Sequence, residues 1–363
     1  MMSTDLSGIT DVKQASSPSI SLEQLTNLCI EKEASDLHFR EGARPALRIK
    51  GKLVYVENAE LLSREGASAM VDQLLHGPEQ RRKFEIDREL DLAYRNQAGI
   101  NFRVNVFYQR GKLAGVMRMI SKHIPSLQAL GIPESFSSMI HKREGLLLVC
   151  GSAGSGKSTT LQALLQLLNQ TTSQHILTVE SPIEYLFEDQ KCIFTQREVG
   201  KDTSSSARAL TSALREDVNV VMIDEINDYH TLDAALNLVE TGHLVISSLL
   251  TVHSIATIER LINLYPPELR DQARDRLSIA LAGILVQDLV YRSDGTGLIP
   301  VFELMKSNES IRSIIRGGTL AQLKTALQVG MKEGMFTLLT YAKQLAQQGL
   351  ISVEQVQEYV SED

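Results

Sequence analysis

Between Val149 and Gln162 the chain reads VCGSAGSGKSTTLQ. An apolar stretch runs into Gly151, Ser152, Ala153, Gly154, Ser155 and Gly156, then into Lys157, Ser158 and Thr159 at the head of a helix-forming segment. The spacing is G-x-x-x-x-G-K-[ST], with a strand before and a helix after, the setting a phosphate-binding loop requires. Glycines let a backbone wrap closely around a polyphosphate and turn its N–H groups inward. The helix that follows directs its positive end at the same phosphates. Lys157 adds a point charge near the outer phosphates, and Ser158 offers a hydroxyl to Mg²⁺. The loop is therefore expected to hold a nucleoside triphosphate with Mg²⁺.

Holding a triphosphate is not hydrolysing it. Hydrolysis needs a group that orients water and a group that steadies the charge on the moving phosphoryl. Two downstream stretches end in carboxylates: HILTVE at Glu180, and VVMIDE at Asp224 and Glu225. Carboxylates at the carboxyl ends of parallel strands face the crevice where ligands lie. There they bind Mg²⁺ through water or polarise the attacking water, which makes Glu225 a candidate metal group beside Ser158. No arginine suited to the second role stands out after residue 145. Two earlier ones do: Arg103 in NFRVNVF and Arg118 in VMRMI interrupt apolar strands, where a guanidinium is costly unless paired. An arginine on the solvent face of a strand explains them equally well at this stage.

Such residues need a scaffold, and 363 residues are enough for two domains with sizeable cores. Residues 20–120 alternate short strands (SDLHFR, ALRIKG, KLVYV, LDLAYR, INFRVNVFY, LAGVMRMI) with helices at 21–33, 63–75 and around PEQRRKFEI, which reads as a small α+β domain with a largely antiparallel sheet. Ser21 and Gln24 form a capping-box pattern. A Pro/Gly-punctuated stretch at 121–135 reads as a linker. From 145 onward, strands apolar at nearly every position (LLLVC, HILTVE, VVMID, HLVISSL) alternate with helices at 157–168, 207–215 and 230–240, which implies an α/β domain with a mostly parallel sheet covered on both faces. That domain is expected over 136–363. Its last part, from about 308, reads as helices at 310–316, 319–329, 336–347 and 352–359.

Composition removes some function classes. The net charge of −7 and the lack of a long basic run argue against nucleic acid as the partner, and so against a translocase. Cys29, Cys150 and Cys192 form no CxxC pair and fit a reducing cytoplasm. No apolar run approaches the ~20 residues that cross a bilayer. The polar, Ser-rich residues 1–19 lack the apolar stretch of a secretory signal and read as a floppy tail. A cytoplasmic protein without direct membrane insertion is expected.

Several stretches taken together resemble the PilT-type retraction ATPases of type IV pili, in the GspE/PilT superfamily of secretion ATPases. They are SDLHFREGARPALRIKGKL, FRVNVF, GSAGSGKSTTL, HILTVESPIEY, TQREVGKDT, ALREDVNVVMIDE, ETGHLVISSL and SIRSIIRGG, spread over roughly residues 20–355. The resemblance implies an N-terminal PAS-like domain joined to a RecA-like ATPase domain, ATP as the nucleotide, and a homo-hexameric ring. It implies work at the cytoplasmic face of the inner membrane on a pilus platform protein, and a possible second pilus ATPase as partner. On that pattern Arg103 and Arg118 are arginine fingers, Glu180 lies in an Asp box, Glu225 in a Walker B motif and His243 in a His box. SIRSIIRGG is similar to a C-terminal retraction signature.

The chain departs from the family pattern at three places. Ser181 replaces an acid in E-D-P-I-E, Asn227 replaces an arginine in G-E-[IM]-R-D, and Leu250 replaces the second histidine of T-L-H-T. His253, three residues on, would point to the opposite face if the strand continued that far. Two readings follow: a working but slower or specialised retraction motor, or a paralogue that binds ATP and assembles but depends on a more active partner ring.

Overall fold

The computed structural model describes residues 20–49, 51–120 and 124–360. The tail expected at 1–19 lies outside them. The chain divides into two compact units, Met1–Lys122 and His123–Asp363.

The first unit contains helices α1 (Leu22–Glu31), α2 (Arg64–Leu74) and α3 (Gly77–Asp87). Its strands are β1 (Asp36–Arg40), β2 (Ala46–Ile49), β3 (Lys52–Tyr55), β4 (Glu89–Arg95), β5 (Asn101–Gln109) and β6 (Lys112–Met119). All six strands pair antiparallel in the order β3-β2-β1-β6-β5-β4. The capping box at Ser21 forms in both directions. The strand period of two sorts the side chains. On β5, Phe102, Val104 and Val106 are buried in a core with Leu25, Leu37, Met70 and Met117, and Arg103 between them is exposed on the other face.

The second unit opens with a short helix α4 (Glu134–Ser137) and then β7 (Gly145–Cys150) and α5 (Lys157–Thr171). There follow β8 (His175–Glu180), β9 (Ile193–Glu198), α6 (Ser206–Ala213), β10 (Val220–Glu225), α7 (Tyr229–Glu240) and β11 (Leu244–Leu249). Next come α8 (Ser254–Leu264), α9 (Arg270–Ala280), β12 (Leu281–Tyr291) and β13 (Leu298–Lys306), and the helices α10 (Glu309–Gly317), α11 (Leu323–Val329), α12 (Leu338–Gln347) and α13 (Val353–Val360). The sheet order is β13-β12-β7-β11-β10-β8-β9. Only the β12–β13 pair is antiparallel. β7 is buried at every position, as a strand covered on both faces must be. One apolar cluster packs α6–α9 and the C-terminal helices on one side, and another packs α5 and residues 132–140 on the other.

Two stretches differ from the sequence expectation. Residues 124–135, read as linker, belong to the second unit: Ile132 is buried and Leu127 and Leu130 pack with it against the cluster that contains Leu161 and Leu164 of α5. Pro125 and Pro133 flank a single turn at 127–131 that ends at Gly131, and the apolar side chains in and beside that turn join the cluster on the α5 face of the sheet. Residues 254–306, for which the sequence offered no assignment, supply α8, α9 and the two strands β12 and β13. β12 is the direct neighbour of β7.

Candidate active site

The sheet order places the candidate groups. β7 runs into the glycine loop. β10 and β8, parallel to it and to one another, end on the same side in Glu225 and Glu180. Gly151 and Gly156 have φ of +152° and +89°. A Cβ on Gly151 would lie 2.2 Å from the Gln287 carbonyl oxygen, and one on Gly156 would lie 2.7 Å from Gln287 Nε2. Both positions therefore demand glycine for conformation and for space. Gly156 is the N-cap of α5 and no side chain bonds to the cap. That leaves the first N–H groups of the helix for an anion. Ser155 Oγ is buried without a hydrogen-bond partner.

Lys157 folds back over the loop, its Nζ donating to the carbonyl oxygens of Gly151 at 2.9 Å and Ser152 at 2.7 Å. Burial lowers its pKa, and the charges of Glu225 and Asp224 oppose the shift. Glu225 Oε1 is buried with no hydrogen-bond partner. Glu180 is 4% exposed. Burial pushes its carboxyl up to about 7, against hydrogen bonds that favour the ionised form. Those bonds come from Thr178 Oγ1 at 2.6 Å, Gln196 Nε2 at 3.3 Å and the Glu184 N–H at 3.4 Å.

The cluster fits a polyphosphate and a divalent cation. It has a cradle closed to a Cβ at Gly151 and Gly156, an uncapped helix start, a lysine over the loop and a buried carboxylate oxygen lacking a partner. Among the described residues no group of three His, Cys, Asp or Glu is arranged to hold a metal unaided. Mg²⁺ is commonly held by one or two protein oxygens together with phosphates and water; Ser158 and Glu225 are the residues here that would hold it.

The structure does not bring His243 to this cluster. It precedes β11, whose first residue Leu244 pairs with Gly145, whereas the glycine loop leaves the far end at Cys150, opposite Leu249. At ~3.3 Å per residue the separation along the strands is roughly 17 Å. His243 Nδ1 instead meets the Leu238 carbonyl at 2.9 Å and Thr241 Oγ1 at 3.1 Å, at the end of α7. Leu250 follows β11 directly and is 46% exposed. β11 ends before His253, so the strand-parity expectation does not apply. His253 is the N-cap of α8 and lines a 270 Å³ cavity with Glu259, Glu303 and Lys324. Ser181 and Asn227 are exposed.

Arg103 and Arg118 lie in the first unit, directly opposite each other on β5 and β6. Asp36 of β1 pairs with Arg118 in the same row, and Arg48 of β2 pairs with Asp36. Asp36 accepts from Arg118 Nε at 2.9 Å and from Ser35 Oγ at 2.8 Å. Its side chain is 5% exposed and that of Arg118 is 70% exposed. The outcome is an exposed arginine-bearing face with a buried carboxylate beneath it.

Sequence reasoning missed Gln196, Gln287 and Thr160. Gln196 ties Glu180 to the loop behind it, donating to the Tyr185 carbonyl and accepting from the Phe187 N–H. A lone amide in the apolar run LAGILVQDLVY is the signal that marks Gln287.

A glycine loop between a central parallel strand and a helix, with acids at the ends of neighbouring strands, defines a RecA-like P-loop nucleoside triphosphatase. A family model described as "Type II/IV secretion system protein" matches residues 13–358. The chain belongs to that family, as an ATPase of the PilT type within the GspE/PilT superfamily. It is 37% identical over 337 residues to the "Type IV pilus retractation ATPase PilT" of Pseudomonas aeruginosa, covering 93% of this chain and 97% of that protein. To the "Type IV pilus ATPase PilU" of the same organism it is 34% identical over 332 residues, covering 92% and 86%. The crystal structure of the pilus retraction motor PilT with bound ADP superposes with a TM-score of 0.87 at 37% identity, covering 93% and 96% of the two chains.

Proposed function

We propose that this protein is a cytoplasmic, homo-hexameric motor that hydrolyses ATP with Mg²⁺ to power type IV pilus retraction. It would act from the cytoplasmic face of the inner membrane on a pilus platform protein. The observation that supports hydrolysis most directly is the grouping of Lys157, Glu180 and Glu225 at the carboxyl ends of β7, β8 and β10.

Each group has a task in this reading. The backbone of 151–156 and the start of α5 bind the phosphates, with Ser158 and Thr159 at the mouth of the loop. Lys157 exchanges its bonds to the Gly151 and Ser152 carbonyls for phosphate oxygens. Mg²⁺, when bound beside Ser158 and Glu225, neutralises charge on the outer phosphates. Glu225, with its unpartnered oxygen, orients the attacking water. Glu180, titrating near neutrality, takes up the proton that the water releases. Arg103 and Arg118 steady the charge on the transferring phosphoryl, a contribution of about 10³–10⁵ in rate in P-loop enzymes. The direction of force rests on what the PilT relatives are named for; the ring and the platform partner rest on the family resemblance alone.

Mg²⁺-dependent phosphate release by purified protein tests the reading. Lys157→Ala is expected to abolish it, and a wild type no faster than Lys157→Ala refutes the enzyme. Sizing with ATP is expected to give six copies.

Leu250 favours a second reading. It sets an exposed apolar side chain beside the loop where the family resemblance expects a histidine. In that reading the protein binds ATP and assembles, but turns over weakly and assists another pilus ATPase. Phosphate release that appears only when a second pilus ATPase is added would select it.

A further inference from the structure

The phosphate loop does not hold its shape alone. Gln287 of β12 is 5% exposed and lies against the loop. Its Nε2 donates to the Ser155 carbonyl at 2.6 Å. Its Oε1 accepts from Thr160 Oγ1 at 2.8 Å, on the first turn of α5. Thr160 is fully buried. One amide thus joins the loop, on one side of Lys157, to the helix on the other. Its own carbonyl oxygen and its side-chain nitrogen are also the atoms that forbid a Cβ at Gly151 and Gly156.

We propose that Gln287 is a positioning residue for the nucleotide's β- and γ-phosphates, acting through the Ser155–Gln287–Thr160 bridge. The inference rests on the nucleotide-binding reading above. Phosphate affinity of a backbone cradle depends on its N–H groups being aimed before the ligand arrives, since ordering a loose loop subtracts from binding. A primary amide suits the task because it donates at one end and accepts at the other. Neither a carboxylate nor a methionine reproduces both ends. The residue that follows, Asp288, accepts from the Tyr359 hydroxyl of α13 at 2.7 Å, so the C-terminal helix anchors the same stretch of β12.

The test compares wild type, Gln287→Met and Thr160→Val in the full chain. The measured quantities are dissociation constants for ATP, ADP and AMP in the presence of Mg²⁺, and thermal melting without nucleotide. The expected result for Gln287→Met is ATP and ADP affinity weakened at least tenfold, AMP affinity changed less than threefold, and the same order of effect, smaller, for Thr160→Val. A merely structural role would lower the melting temperature and leave the affinities of the folded protein alone. ATP and ADP affinities within twofold of wild type in the folded variants overturn the inference. Should Gln287→Met fail to fold, Thr160→Val decides by the same criterion. A wild type that binds neither ATP nor ADP would instead overturn the nucleotide reading itself.

Discussion

Glu180→Gln should make the second unit more stable at alkaline pH while removing activity. The Glu180 carboxyl is raised by burial from the ordinary 4.5 to about 7. Between those values the folded state binds more protons than the unfolded state, so the stability associated with Glu180 is complete below pH 4.5 and is lost as pH rises through 7. At ~1.36 kcal/mol per unit, burying Glu180 costs about 3 kcal/mol at pH 8.5, where it is ionised in the fold, and about 1 kcal/mol at pH 5, where it must take up a proton to be buried. Glutamine carries no such penalty. Its carbonyl can still accept from Thr178 and Gln196, but its NH₂ would face the Glu184 N–H, a lost bond of about 1 kcal/mol. The net expectation is about +2 kcal/mol at pH 8.5 and about zero at pH 5. Urea unfolding of the apo proteins at both pH values measures it. Phosphate release at pH 8 should meanwhile fall by about 10²–10⁴ if Glu180 takes the proton. A variant-minus-wild-type difference that is equal at the two pH values would refute the buried-carboxyl argument, and full turnover would refute the role in catalysis.

Other outcomes are expected from the same geometry. Arg103→Ala and Arg118→Ala should each leave ATP affinity within threefold of wild type and lower turnover by about 10³ or more; normal turnover in both removes their assignment. Gly156→Ala places a Cβ 2.7 Å from Gln287 Nε2 at a φ of +89°, and it should weaken ADP binding more than tenfold in calorimetry. In the working-motor reading, Leu250→His should change phosphate release less than threefold, and a large gain would select the assisting paralogue.

The parts of the site that depend on short-range spacing were legible in the amino-acid order. Lys157 and Ser158 follow Gly156 directly, and no tertiary contact is needed to see that a strand, a glycine turn and a helix start make a phosphate cradle. Glu180 and Glu225 were legible because buried parallel strands announce themselves as apolar runs, so an acid at the end of such a run stands out. Arg103 and Arg118 stood out in the sequence only as arginines on apolar strands, with a solvent-face position left open; the assembled sheet put them on a face apart from the core, made them neighbours and set Asp36 beside Arg118.

The sequence itself determined that this chain has a triphosphate loop, two acids at strand ends and an antiparallel sheet domain ahead of them, because those features depend on residues a few positions apart. Only the tertiary structure decided which distant residues share an environment. It inserted β12 beside β7, so that Gln287 reaches Ser155 and Thr160 across more than a hundred positions. It buried Glu180 and so raised its proton affinity, and it set His243 at the far end of β11 from the loop. Desolvation and strand register are properties of the assembled sheet, and no run of neighbouring residues encodes either one locally.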